Sequence, residues 1–118
     1  MKEPGPHHPI TITPHGGHVR VIAGGRIVAE TDRALELREA GYGAVLYVPR
    51  ADIDAAALAP NPQRSHCPYK GEASYFDLSV GGALRPAVAW SYENPFPAVS
   101  RIRGHVAFYP DRVDAIEA

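Results

Sequence analysis

The stretch Val19-Arg20-Val21-Ile22-Ala23-Gly24-Gly25-Arg26-Ile27-Val28-Ala29-Glu30-Thr31 decides the fold class. Two apolar runs flank a glycine pair, and because glycine takes positive φ without a Cβ clash, such a pair closes a two-residue hairpin. The same pattern recurs where Gly81-Gly82 separates Tyr75 to Val80 from Leu84 to Tyr92. There Phe76, Leu78 and Val80 alternate with Tyr75, Asp77 and Ser79, the period of a strand with two different faces. In the partner run Val88, Trp90 and Tyr92 share one face and Ser91 points the other way, while Pro86 marks an edge.

Outward from the first hairpin, Ala34 to Glu39 sets Leu35 and Leu37 against Glu36 and Arg38, which extends a meander past the turn at Thr31-Asp32-Arg33. Ala44-Val45-Leu46-Tyr47-Val48 is apolar on both faces and reads as an interior strand. Asp52 or Asp54 can cap a short helix that runs to Leu58 and ends at Pro60 and Pro62. Ala98 to Ile102 suits one helical turn, and Val106 to Pro110 one last aromatic strand. The expected architecture is mainly β: about seven mostly antiparallel strands with short helices, forming two packed sheets or a small open barrel.

With 118 residues there is room for a single domain over 1–118, read as an extended N-terminal segment (1–17) and a β core (18–118). A formal net charge of -1 supplies no positive field for phosphate backbones, and acids interleave Arg20, Arg26, Arg33, Arg38 and Arg50, so no nucleic-acid partner is expected. The apolar runs are too short for a membrane span. The first nine residues lack the apolar stretch of a secretory signal, and Cys67 is the one cysteine, so a reducing, cytoplasmic setting is expected. The chain is expected as a monomer, or as a homodimer paired through a strand edge.

From Pro60 to Gly71 the sequence Pro-Asn-Pro-Gln-Arg-Ser-His-Cys-Pro-Tyr-Lys-Gly has neither helix nor strand period and reads as a long functional loop. His66, Tyr69 and Lys70 gather an imidazole, a phenol and an ammonium, a set suited to anion binding or proton transfer. Pro68 biases Cys67 toward extended backbone, so His66 and Cys67 face opposite sides. Adjacent His and Cys lack the spacing of zinc ligands, and neither a metal nor a cofactor is expected. A second concentration of polar and aromatic groups is Trp90-Ser91-Tyr92.

These residues resemble a family of small bacterial and fungal proteins, domain-of-unknown-function family 427, which carries a nucleotidyltransferase-like label. His66-Cys67-Pro68-Tyr69-Lys70-Gly71 is the most diagnostic string. It is joined by His8 to Ile12, Leu37-Arg38-Glu39, Tyr47 to Asp52, Ala73-Ser74-Tyr75, Ala89 to Tyr92, Pro95 and Val106 to Pro110. The chain departs slightly at Glu39-Ala40-Gly41 and at Glu93-Asn94-Pro95. The resemblance implies a compact, strand-dominated domain with the motif residues around one pocket, and no established reaction. Nucleotidyl transfer needs carboxylates converging on Mg²⁺, whereas the only Asp-x-Asp, Asp52-Ile53-Asp54, stands where capping is the cheaper use.

Two functional expectations follow. In the first, a small-molecule pocket takes a ligand with an anionic group. Arg50 and Lys70 bind that group, His66 serves as acid or base, Cys67 is a potential nucleophile, and Tyr69, Tyr75, Trp90, Ser91 and Tyr92 complete the wall. In the alternative, the chain is a non-catalytic binding or interaction module whose motif residues are structural, with Lys70 and Arg50 paired to Glu39, Glu72 or Asp77.

Overall fold

The computed structural model describes residues 1–118 and contains ten strands: β1 (Ile10–Pro14), β2 (Val19–Ala23), β3 (Arg26–Thr31), β4 (Leu35–Glu39), β5 (Val45–Pro49), β6 (Leu58–Cys67), β7 (Gly71–Val80), β8 (Ala83–Ser91), β9 (His105–Phe108) and β10 (Ala115–Glu117). Seven of them form one sheet in the order β1-β4-β5-β9-β8-β7-β6, and β10-β2-β3 forms a second. Every pairing is antiparallel. The larger sheet does not close into a barrel, because β1 and β6 remain its two edges. No helix is long and apolar enough to cross a membrane.

Both glycine pairs form the expected hairpin turns, with φ of 60° and 71° at Gly24 and Gly25 and of 58° and 76° at Gly81 and Gly82. The expectation of about seven strands undercounts, and the three strands it omits, β1, β6 and β10, all lie at sheet edges. The meander also stops at Thr31. The chain turns at Asp32 and Arg33, where the Arg33 amide donates to Thr31 Oγ1 at 2.9 Å, and β4 joins the other sheet between β1 and β5.

The helix expected through Leu58 is replaced by a 3-10 turn at Arg50–Asp52, because the backbone that follows is used by neighbouring strands. The Asp54 amide donates to Val28 O at 2.8 Å, the Ser79 amide donates to Ala57 O at 2.8 Å, and Ile53 and Ala57 are buried. The turn expected at Ala98 to Ile102 is a 3-10 segment, Pro97–Ile102.

β7 separates two cores. Phe76, Leu78 and Val80 join Val21, Ala23, Val28 and Ala29 between the sheets, while Tyr75 belongs with Leu37, Tyr47, Tyr92, Val99 and Ile102 on the other face. In β8 the alternation breaks at Ala87, whose φ is 50°, so Val88 packs with the first core and only Trp90 and Tyr92 face the second. Asp77 Oδ1 holds this irregularity, accepting at 2.8 Å from the Ala87 amide and at 2.8 Å from Asn61 Nδ2. Pro86 is therefore not on an edge strand. It lies where β8 slips register against β7, ahead of the β9 pairing that begins at Ala89.

Candidate functional site

The second face of the larger sheet curves around an open cavity of about 430 Å³, lined by Leu37, Glu39, Tyr42, Gly43, Val45, Tyr47, Cys67, Lys70, Tyr75, Trp90, Tyr92 and Tyr109. Alternation explains the lining. Leu37 and Glu39 share one face of β4, and Val45 and Tyr47 one face of β5, so each strand sends every second side chain inward.

The floor is polar. Lys70 is buried and its ammonium donates to Glu39 Oε1, while His8 Nε2 lies 2.7 Å from Glu39 Oε2. Burial works to raise the Glu39 pKa, but the hydrogen bonds from Lys70 and then His8 outweigh it and hold the carboxyl below its ordinary range. Tyr47 moves the other way: burial first, then the nearby negative charge of Glu39, keeps its phenol protonated, although the hydrogen bond from Trp90 opposes the shift. Trp90 Nε1 donates to Tyr47 Oη at 3.3 Å, and Trp90 packs on Tyr109 with ring centroids 4.4 Å apart.

Local sequence places Lys70 on the floor. Cys67 pairs with Gly71 at the end of the β6–β7 hairpin, and Gly71 has φ of 113°, a conformation that L side chains rarely adopt. A Cβ there would also come within 3.3 Å of Asn94 O. The Phe96 amide donates to Lys70 O at 3.0 Å on one side of the turn, and the Lys2 amide donates to Pro68 O at 2.7 Å on the other. The N-terminal segment lies across this hairpin, with His8 stacked on Tyr69 at 3.9 Å and 8°.

Of the expected site residues, Lys70, Cys67, Tyr75, Trp90 and Tyr92 line this cavity. The Pro60–Gly71 segment is not a loop; most of it is the edge strand β6, bulged between Asn61 and Arg64. His66 does face away from Cys67. It is exposed, with its ring set edge-on to Phe96 at 6.2 Å and 68°, and lies outside the cavity. Tyr69 likewise lies outside, spent on the stack with His8.

Arg50 sits over the Phe76 ring at 4.6 Å and 3.4 Å from Glu93 Oε1, beside a small separate hollow shared with Ile53, Ala55 and Leu58. It does not converge with Lys70, and its partner is none of the three acids expected for it. Ser91, buried on the opposite face, donates to Glu93 Oε2.

The candidate site residues named from the sequence did not include Glu39, Tyr47 or Tyr109, although all three stand in the strings that carry the family resemblance. Period 2 was a usable signal for Glu39, since it puts that carboxylate on the same side as Leu35 and Leu37. Asp52 and Asp54 have separate partners within the chain. Asp52 Oδ2 accepts from Thr31 Oγ1 at 2.6 Å and pairs with Arg33, and Asp54 Oδ1 accepts from the Ala56 amide at 3.0 Å.

No curated protein matches this sequence. A family model described as a domain of unknown function, DUF427, matches residues 11–118, which takes in all ten strands except the first residue of β1. The chain belongs to that family.

Proposed function

We propose that this domain binds a small molecule in the aromatic cavity, with Lys70 as the polar anchor. The observation that carries the reading is the placement of an ion pair, its side chains only 11% and 15% exposed, at the foot of a hollow walled by tyrosines and the single tryptophan. Removing charge from water is costly, and a paired ammonium with hydrogen-bonding capacity to spare suits a ligand oxygen or anion. Lys70 and Cys67 are the groups available to any chemistry there. Acid–base work by His66 is not part of this reading, because its ring is exposed outside the cavity. The lone thiol suits a reducing, cytoplasmic setting.

The alternative, a non-catalytic interaction module, is favoured by one fact: Tyr69, Arg50 and Ser91 all have partners within the chain. A fragment screen separates the two, read on the indole N–H resonance of Trp90 in ¹H–¹⁵N NMR. Gly43 at the cavity wall has open space where a Cβ would stand, so Gly43→Phe can obstruct the hollow without strain. Small-molecule binding predicts fragments that shift the indole peak saturably in the wild type and not in Gly43→Phe. Fragments that bind both proteins equally, or none that bind at all, contradict it.

A further inference from the structure

Of the two buried tyrosines in the cavity wall, Tyr47 and Tyr92, only Tyr92 has a hydroxyl that the fold leaves unused. Tyr92 follows β8, is 7% exposed and lines the hollow. Its neighbours' hydroxyls are engaged: Tyr47 accepts from Trp90 Nε1 at 3.3 Å, and Tyr75 Oη lies 2.6 Å from Ser65 Oγ. The Tyr92 hydroxyl takes part in no hydrogen bond within the chain. Because no enclosed side-chain polar atom in the molecule lacks a partner, that oxygen reaches solvent, on a residue that lines the cavity. Burial, followed by the nearby phenol of Tyr47, raises its pKa, so it persists as an O–H donor.

Lys70 Nζ stands 5.9 Å from the Tyr92 ring and carries three donors, of which Glu39 takes one. Both Glu39 oxygens already face a partner, Lys70 or His8, whereas two ammonium N–H bonds and the Tyr92 hydroxyl have none in the chain, so the floor's uncommitted groups are chiefly donors. Its one positive and one negative charge cancel, which argues against an aromatic cage for a cation.

We propose that the ligand is a flat aromatic or heteroaromatic molecule bearing an sp² oxygen, a carboxylate or a carbonyl, that accepts hydrogen bonds from Tyr92 and Lys70 while its ring packs against Trp90, Tyr75 and Tyr109. This rests on the small-molecule reading above and specifies its ligand class. Within the chain that hydroxyl has water alone as its partner, so a ligand oxygen that displaces the water takes up a donor the fold has not committed.

The test titrates benzoate, benzamide, cyclohexanecarboxylate and phenyltrimethylammonium into the full chain and follows the Trp90 indole peak, in the wild type and in Tyr92→Phe. Benzoate or benzamide is expected to bind tightest, benzoate leading if the oxygen is a carboxylate and benzamide if it is a neutral carbonyl. Tyr92→Phe is expected to weaken that binding about three- to tenfold, as the loss of one hydrogen bond does. Its melting temperature should equal or exceed that of the wild type. Preference for phenyltrimethylammonium, equal binding of cyclohexanecarboxylate and benzoate, unchanged affinity in Tyr92→Phe, or a variant that fails to fold would each overturn the ligand class while leaving a pocket in place. An indole peak that no probe moves overturns the ligand class and counts against the small-molecule reading itself.

Discussion

At the scale of single residues, the site depends on how Glu39 is shared. Its pKa is lower in the folded protein than its ordinary value of 4.5, so it binds fewer protons when folded. The linked stability is complete above that ordinary value and is lost as pH falls through the lowered one. Glu39→Gln removes this dependence and leaves the buried Lys70 ammonium without its carboxylate, at a cost of about 3–5 kcal/mol near neutral pH. Thermal melts from pH 3 to 7 should show a steeper acid loss in the wild type than in the variant; parallel curves would contradict the shared role. The pairing itself was visible in the sequence only as one option among three acids for Lys70. Lys70 and Glu39 are 31 positions apart, and local period cannot state which strand ends meet.

At the scale of elements, the seven strands that alternation and glycine pairs announced are the six interior strands of both sheets and β3, which its hairpin fixes. The three that went unread are edges. An edge strand needs only one row of backbone partners, so it tolerates proline, and Pro60 and Pro62 in β6 and Pro14 in β1 hid a strand behind the composition of a loop. Asp77 shows what the irregular pairing requires. One carboxylate oxygen holds Asn61 of β6 and the positive-φ Ala87 of β8 on either side of β7. Asp77→Ala strands both donors and should cost about 2–6 kcal/mol in denaturant unfolding, at about 1–3 kcal/mol for each orphaned buried group. A change below about 0.5 kcal/mol, ordinary for a surface substitution, would show the bulges to be held by other contacts.

At the scale of the whole molecule, one face of the large sheet is closed by the small sheet and the other is only partly filled, by Val99 and Ile102 of the Pro97–Ile102 segment. The unfilled part is the cavity. Composition foretold one modest domain, and the observed radius of gyration of 14.0 Å matches the roughly 13 to 14 Å expected for a chain this long. The curvature that brings β4 against the β6–β7 turn was not legible, because it arises from twist summed over seven strands. The binding site proposed for this half-open face is tested most directly by a crystal of the protein soaked with benzoate or benzamide, whichever binds tighter. The ring is expected against Trp90 with an oxygen at hydrogen-bond distance from Tyr92 Oη and Lys70 Nζ. A probe held anywhere else on the molecule, beside an unoccupied cavity, would contradict it.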